Sequence, residues 1–499
     1  MKRLLEAVRG RTFDDFLLVP QFGVLERRDP ALIDLSSRVS EHITLARPIV
    51  SANMDTVTRA EMAIVQAEEG GIGIIDRGFR PGQIEAQVRE VETVKRTQHA
   101  VIPDPLTIPV TATLAEAVEL MARRRVGTLV VVDDSARLAG LLTERDVRFV
   151  ADRQDLGGTP VTARMTPRER LVVREGEPSI GEAERVMLER KVKKLPLVDT
   201  GGRLTGLVTA KDILKQKRLP FATRDRQGRL RVGAAIGATG DYLERAAELI
   251  RAGADLIVID IAHGHSVVME QALAAFRTRF GDVELVAGNV ATGEGARFLA
   301  ERGVNGIKVG VGPGGGCTTR INTSFGVPQI QAIVESRIAV GPDLPLIADG
   351  GIRRDGSLVE ALLFGADCVM LGSAFAGTQE APGEIVHKWV LLPESQKMVQ
   401  VPFKVLRGMA SIGAIRDRLD VEDVSAVDLA ALGAEGLEVS VPARGSARSI
   451  VHDMVRHLCS SISYAGARSL SDLRRLLWAD PDRYLVALSP AARRESYER

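Results

Sequence analysis

The stretch Ile307-Lys308-Val309-Gly310-Val311 is a short, mostly β-branched run that leads into Gly312-Pro313-Gly314-Gly315-Gly316 and then Cys317. A short apolar run that stops at glycines is typical of a buried strand. Five of the seven residues in 310–316 are glycine, and Thr318-Thr319-Arg320 follow the cysteine. Because glycine lets backbone amides approach closely, a cysteine on this loop suits a nucleophile that attacks an anionic ligand.

Similar apolar runs recur along the chain and alternate with amphipathic stretches. The candidate strands are residues 48–52, 71–75, 232–236, 256–261, 285–289, 307–311, 346–348 and 369–372. Helical patterns lie between them, and those at 241–252 and 356–364 each end at a glycine, Gly253 and Gly365. Eight such units predict an α/β fold with a closed (β/α)8 TIM barrel, and an open parallel sheet with extra edge strands is the alternative.

The alternation stops between residues 101 and 218, where the chain repeats itself. Residues 114–146 match residues 180–212 without a gap, so that Gly140-Leu141-Leu142-Thr143-Glu144-Arg145-Asp146 falls opposite Gly206-Leu207-Val208-Thr209-Ala210-Lys211-Asp212. An internal duplication predicts a paired module inserted into the barrel. We therefore expect barrel segments at 1–100 and 219–478, a lid-like flap at about 381–442, and a charged, loosely held tail at 479–499.

Composition restricts the class of ligand. The 499-residue chain has 66 basic and 65 acidic residues, a formal charge of +1, which argues against a nucleic acid or an anionic membrane as partner and favours a small molecule. Its three cysteines are too few for a disulfide framework, and Cys368 is expected in the core. The absence of a signal peptide and of a membrane-spanning run predicts a cytoplasmic protein.

Three groups follow the last three candidate strands, and the carboxyl ends of barrel strands form the active site of this fold. Cys317 follows the sixth strand, Asp349-Gly350-Gly351 the seventh, and Gly372-Ser373 the eighth. A carboxylate can accept hydrogen bonds from sugar hydroxyls, while glycine amides and a serine hydroxyl can donate to phosphate oxygens. These groups predict a site for a ribose phosphate.

Both copies of the repeat resemble the CBS domain. In that family the Gly-apolar-apolar-Thr-x-x-Asp ending holds the ribose and phosphates of nucleotides, which implies an adenine or guanine nucleotide at Thr143, Asp146, Thr209 and Asp212. Threonine and aspartate also cap helices, so the alternative is that the pair only packs against another subunit or is ligand-free.

The whole chain is similar to the IMP dehydrogenase and GMP reductase family. The likeness rests on Gly312-Pro313-Gly314-x-x-Cys317-Thr318-Thr319-Arg320, Ser51-Ala52-Asn53-Met54-Asp55-Thr56-Val57, Ala348-Asp349-Gly350-Gly351-Ile352, and Leu371-Gly372-Ser373 with Glu380-Ala381-Pro382-Gly383-Glu384. It implies a homotetramer or octamer of barrels, GMP or IMP as substrate, a nicotinamide cofactor, and a monovalent cation, K⁺.

The resemblance also implies roles for individual residues. The catalytic residues would be Cys317 as nucleophile, with Thr319 and Glu435 as a proton relay. The substrate-binding residues would be Ser51, Met54, Asp349, Gly351, Gly372, Ser373, Arg407, Gly408 and Met409. The cofactor would contact Asp260, Ala262 and Gly310, and the carbonyls of Gly312, Gly314 and Cys317 would hold the cation.

The two activities differ in how the cysteine adduct is resolved. By resemblance, a dehydrogenase hydrolyses it with an Arg-Tyr pair on the flap, but residues 413–435 contain no tyrosine, and Arg483-Tyr484 lies in the tail. Two segments are similar to the corresponding segments of reductases: Asp260-Ile261-Ala262-His263-Gly264-His265 and Ala287-Gly288-Asn289-Val290-Ala291-Thr292-Gly293-Glu294. We therefore predict a GMP reductase that uses NADPH. The alternative is an IMP dehydrogenase that uses NAD, with Arg416 or Arg418 activating water.

Overall fold

A computed structural model describes residues 2–80, 82–97, 101–102, 105–124, 126–148, 156–176, 178–392, 397–418 and 435–497. The strands are β1 Phe16–Leu18, β2 Ser37–Ser40, β3 Ile43–Leu45, β4 Ile49–Ser51, β5 Ile72–Ile75, β6 Val101–Ile102, β7 Thr107–Pro109, β8 Thr128–Val132, β9 Leu138–Thr143, β10 Thr166–Pro167, β11 Arg174–Glu175, β12 Lys194–Val198, β13 Leu204–Thr209, β14 Gly233–Ile236, β15 Leu256–Asp260, β16 Leu285–Val290, β17 Gly306–Val309, β18 Leu346–Asp349, β19 Cys368–Leu371, β20 Val386–Leu392, β21 Lys397–Arg407, β22 Glu438–Pro442 and β23 Leu485–Ala487.

The α-helices are α1 Lys2–Val8, α2 Ala60–Glu68, α3 Ile84–Arg96, α4 Leu114–Arg124, α5 Glu144–Arg148, α6 Ile180–Glu189, α7 Ala210–Lys217, α8 Tyr242–Arg251, α9 Val267–Phe280, α10 Gly293–Ala300, α11 Thr319–Thr323, α12 Gln329–Val340, α13 Asp355–Phe364, α14 Ser373–Ala376, α15 Ile412–Arg418, α16 Ala447–Tyr464, α17 Leu470–Ala479, α18 Pro481–Tyr484 and α19 Pro490–Tyr497. Short 3-10 helices lie at Phe13–Asp15, Val161–Ala163 and Arg168–Arg170.

Eight parallel strands close into a barrel in the order β14-β15-β16-β17-β18-β19-β4-β5. Each of them lies within, or within one residue of, one of the eight apolar runs recognised in the sequence, so the (β/α)8 prediction is confirmed and the open sheet is excluded. Most of their residues are fully buried. This is the pattern of parallel strands that are covered on both faces.

Glycine ends the barrel helices where the sequence predicted. Helix α8 is followed by Gly253, with a φ of 95°, and α13 by Gly365, with a φ of 135°. Both conformations are strained for residues that carry a Cβ. These glycines turn the chain from each helix back into the next strand.

The second compact unit comprises residues 96–220 and 224–229. Its two copies have the same elements: α4, β8, β9 and α5 begin at the positions of the repeat where α6, β12, β13 and α7 begin. The sheets are β10-β9-β8-β7 and β11-β12-β13-β6, so β6, which precedes the first copy, completes the sheet of the second. The unit thus contains a structurally repeated pair, and its CBS assignment stays a prediction.

The flap region is more regular than the sequence suggested. Strands β20, β21 and β22 form an antiparallel sheet, and α15 follows β21. Residues 419–434, the middle of the predicted flap, lie outside the described residues. Nowhere in the described ranges is a helix both long and apolar enough to cross a membrane.

The prediction of a loosely held tail is wrong. Strand β23 pairs with β1, and Tyr484 is buried. The hydroxyl of Tyr497 donates a hydrogen bond to the carbonyl of Phe16 at 2.6 Å. Charged residues of the tail add to this anchoring, since Arg493 pairs with Asp15 at 3.3 Å and Arg483 donates to Gln21 at 2.8 Å.

Candidate active site

The carboxyl ends of the barrel strands surround a cavity of about 320 Å³. It brings together most of the residues that the sequence placed in one site: Met54, Asp260, Ala262, Gly310, Gly312, Gly314, Cys317, Thr319, Asp349, Gly351, Gly372, Ser373, Gly408, Met409 and Glu435. Ser51 and Arg407 are exceptions. Ser51 is fully buried in β4, and neither residue lies on the cavity wall.

The cysteine loop is held tightly against the barrel. Gly310 has a φ of 153°, and a Cβ at this position would lie 2.1 Å from the carbonyl oxygen of Asp349, so only glycine fits. Arg320 donates from Nε to the carbonyl of Val311 at 3.1 Å and from a terminal nitrogen to that of Val327 at 2.5 Å. These bonds fix both flanks of Cys317, a half-buried free thiol, whereas Cys368 is fully buried as expected.

A continuous polar chain runs from the thiol to a carboxylate. The Sγ of Cys317 lies 3.3 Å from the Oγ1 of Thr319, and this hydroxyl donates to Oε2 of Glu435 at 2.5 Å. Residues 319 and 435 are brought together only by the fold. A hydroxyl between a thiol and a carboxylate can pass a proton between the carboxylate and a leaving group at the thiol.

Glu435 is held by backbone hydrogen bonds on both sides. Its carbonyl accepts from the amide of Thr318 at 2.8 Å, and its amide donates to the carbonyl of Ala410 at 3.1 Å. Next along the chain, the amide of Leu437 donates to the carbonyl of Gly316 at 2.8 Å. The carboxylate therefore lies on a segment bound directly to the cysteine loop.

Lys308 lies beneath the cavity, between two strand-end carboxylates. It is 2% exposed, forms an ion pair with Asp349, and lies 3.4 Å from an oxygen of Asp260. Burial acts to raise the pKa of Asp260, but the charges of Lys308 and Arg77 outweigh it and hold that pKa below its usual value. Burial acts to lower the pKa of Lys308, and the two carboxylates reverse this and raise it. Asp260 and Lys308 are therefore both charged at neutral pH.

Two amide side chains complete this network. Asn53 donates to Asp260, and Asn289 donates to Asp349 at 2.9 Å and to the carbonyl of Gly310 at 2.7 Å. The sequence did not single out Asn53, Asn289 or Lys308 as site residues. Lys308 carried a usable signal, because a lysine inside an apolar strand must find buried counter-charges.

A profile of the IMP dehydrogenase / GMP reductase domain matches residues 10–498 of the chain. The chain belongs to this family. Inosine-5'-monophosphate dehydrogenase from Aquifex aeolicus is 42% identical over 477 residues, which cover 94% of each chain. The enzyme of the same name from Mycobacterium leprae is 40% identical, over 98% of this chain and 89% of the relative.

Solved structures of family members with the other activity are also similar. A cysteine-to-alanine variant of GMP reductase from Trypanosoma brucei, in complex with guanosine 5'-monophosphate, is 36% identical, with a TM-score of 0.81 over 98% of this chain and 97% of its own. The same reductase in complex with guanosine 5'-triphosphate is 33% identical, with a TM-score of 0.72 over 96% and 98%. The resemblance read from the sequence is thus confirmed at the level of the family, whose two activities share this fold.

Family members use a nicotinamide cofactor and a monovalent cation, and the site has groups that fit both. The Oδ1 atom of Asn289 and the Nε atom of Arg77 are buried and have no hydrogen-bond partner among the residues that the structure describes. Such atoms can pair with the amide or hydroxyl groups of a cofactor. Gly312, Gly314 and Cys317 offer neutral carbonyl oxygens, the donor type that suits K⁺, although Gly314 also accepts from the Cys317 amide at 3.1 Å.

The residues expected to bind a nucleotide in the second unit are only partly described. In the first copy, the amide and hydroxyl of Thr143 both donate to Oδ2 of Asp146 at 2.7 Å. Thr209 ends β13 in the second copy, and the side chain of Asp212 lies outside the described residues. The contact between Thr143 and Asp146 is a helix cap, as the ligand-free alternative expects, and it leaves other oxygen lone pairs for a ligand.

Proposed function

We propose that the protein is a GMP reductase, which converts GMP and NADPH to IMP, ammonia and NADP through a covalent adduct on Cys317. The observation that supports this most strongly is the series of hydrogen bonds from Cys317 through Thr319 to Glu435. These hydrogen bonds can deliver a proton to the place where an amine must leave. A hydroxyl is too weak an acid to act alone, so its bond to a carboxylate is chemically sensible.

Two bonds form and two bonds break at C2 of the purine. The sulfur of Cys317 bonds to C2 of the purine as the C2–N bond to the amine breaks. The proton of the Cys317 thiol, taken up by Glu435 through Thr319 and returned by the same route, lets the amine leave as ammonia. NADPH, as the second substrate, supplies the hydride that adds to C2. The C–S bond then breaks, and IMP and a free thiolate are released. No water molecule needs to be activated in this sequence.

The dehydrogenase reaction has less support from the residues of the site. Hydrolysis of the adduct needs a base that takes a proton from water. Residues 413–435 contain no tyrosine. Arg416 is exposed on α15, and the side chain of Arg418 lies outside the described residues. IMP dehydrogenase with NAD remains the second candidate because the curated relatives at 42% and 40% identity have that name.

GMP would lie across the cavity from the cysteine to the flap strand. The carboxylate of Asp349, already held by Lys308, would accept from the ribose hydroxyls. Gly351, Gly372 and Ser373 would donate to the phosphate, and the purine would lie between Met54 and residues 408–409. Asp260, Ala262 and Gly310 would contact NADPH.

The proposals on regulation and assembly rest on the resemblance to the family and to the CBS domain. We propose that the second unit binds an adenine or guanine nucleotide, that the assembly is a homotetramer or octamer, and that the enzyme is cytoplasmic. Calorimetric titration of the full-length protein with ATP and GTP tests the first point. The absence of heat beyond that of the active site would refute it, and light scattering would give the assembly state.

The activity is tested by incubating the purified protein with each nucleotide and cofactor pair in K⁺ buffer while recording the absorbance of the reduced nicotinamide. We expect GMP to accelerate the oxidation of NADPH, with release of ammonia. Rapid reduction of NAD in the presence of IMP, with no GMP-dependent oxidation of NADPH, would overturn the proposal.

A further inference from the structure

Two walls of the cavity come from distant parts of the chain. Met54 follows β4, and its sulfur packs 3.0 Å from the point where a Cβ on Gly372 would lie. Gly408 and Met409 follow β21, at the base of the flap sheet. A purine that binds between these walls requires a fixed distance between Met54 and residues 408–409. The barrel strands alone do not set this distance, because residues 408–409 follow a strand of the flap sheet.

Arg407 connects the two walls. Its Nε and a terminal nitrogen both donate to Oδ2 of Asp55, at 2.9 and 2.5 Å, and its amide donates to Oγ1 of Thr56 at 3.3 Å. The side chain of Asp55 is 4% exposed and that of Arg407 20%. The ion pair is therefore shielded from water, and each charge depends on the other.

The connection extends to the proton relay through the backbone. The amide of Gly408 donates to the carbonyl of Leu437 at 3.0 Å, and that of Glu435 donates to Ala410 at 3.1 Å. The amide of Leu437 donates to the carbonyl of Gly316 in the cysteine loop. A shift of residues 407–410 would therefore move Glu435 relative to Thr319 as well as the purine wall.

We infer that the pair of Arg407 and Asp55 is a clamp that positions the purine wall and the relay, and that Arg407 does not bind the substrate directly. This replaces the role that the sequence assigned to Arg407, and it rests on the proposed function only in naming GMP as the ligand. Arg407 and Asp55 are thus positioning residues.

The variants Arg407→Lys, Arg407→Gln, Asp55→Asn and the double variant Arg407→Gln/Asp55→Asn test the clamp. Arg494→Gln on the exposed tail is the control. The measurements are kcat and KM for GMP, the thermal midpoint, and the rate at which iodoacetamide alkylates Cys317 with and without GMP or IMP. Alkylation reports on the site whichever reaction the enzyme performs, and Cys368 and Cys459 are buried.

We expect each single variant to raise KM and to lower kcat, with a combined loss of about 10²-fold, since misplacement of about 1 Å can have this effect. The double variant should be no worse than either single variant, because both remove the same contact. Nucleotides should protect Cys317 less well in the variants, and Arg407→Lys, which keeps the charge, should retain a near wild-type thermal midpoint.

Two results would overturn the inference. If Arg407→Gln weakens nucleotide protection and Asp55→Asn does not, Arg407 contacts the nucleotide itself. If the variants lower only the thermal midpoint, while KM and protection match the wild type, the pair is merely structural. Failure of the proposed function would be seen separately, as a wild-type protein that does not oxidise NADPH with GMP, and IMP protection would still test the clamp.

Discussion

Replacing Glu435 with glutamine tests the relay with little change in structure. The segment around Glu435 is held by its backbone bonds to Thr318 and Ala410, which the substitution leaves in place. The amide oxygen of glutamine can still accept from Thr319, at the position where the carboxylate now accepts at 2.5 Å. What is lost is the ability to take up and deliver a proton.

The expected loss therefore equals the contribution of general acid catalysis. Such groups accelerate reactions by about 10²- to 10⁴-fold, which corresponds to about 3–5 kcal/mol in the activation free energy. We expect kcat for GMP-dependent NADPH oxidation to fall by this factor, while the free energy of unfolding changes by less than about 1 kcal/mol. The exposed Glu301→Gln is the matched control and should behave as the wild type.

A second assay separates deamination from hydride transfer. Run in reverse, a single turnover of IMP and NADP forms the Cys317 adduct by hydride transfer alone and requires no proton for a leaving amine. Glu435→Gln should keep this step within about tenfold of the wild-type rate. Equal loss in both assays, or a kcat for GMP near the wild-type value, would refute the relay.

Three further changes have defined outcomes. Cys317→Ala should abolish the adduct seen by mass spectrometry after acid quenching and reduce turnover to background, while GMP still binds; turnover of that variant would contradict covalent catalysis. Lys308→Met should lower the free energy of unfolding by about 3 kcal/mol in urea titrations, because it leaves the partly buried carboxylates of Asp260 and Asp349 without their counter-charge, and an unchanged urea midpoint would contradict that charge arrangement. Burial raises the pKa of Glu360 to about 9, from 4.5, so the folded state binds this proton more tightly and stability should fall as pH rises from 4.5 to about 9. Glu360→Gln should flatten that decline in urea midpoints, and an unaltered pH dependence would show that Glu360 ionises normally.

Much of the fold follows from local pattern. The eight barrel strands are mostly apolar because helices cover one face and the barrel interior the other. Gly253 and Gly365 end helices where only a permissive residue fits. The cysteine loop could be predicted from a local pattern as well, since its glycines indicate that other backbone segments approach closely. These signals lie within a few residues of one another along the chain.

The remaining features depend on contacts between distant residues. The family resemblance assigned Arg407 to the substrate, but its guanidinium donates to Asp55, which lies 352 residues away along the chain. Lys308 needed both Asp260 and Asp349 before its role could be recognised. The tail looked mobile because its composition is charged, whereas Tyr484 and Tyr497 anchor it through contacts with the N-terminal segment.

In the proposed reaction, hydride from NADPH, and not water, resolves the bond between Cys317 and the purine. The most direct measurement uses NADPH deuterated at the nicotinamide C4 position and follows its deuterium into the product nucleotide by mass spectrometry. We predict that GMP yields IMP with deuterium at C2, together with one ammonia for each IMP. Formation of XMP from IMP and NAD, with no deuterated IMP from GMP, would show that water resolves the bond instead.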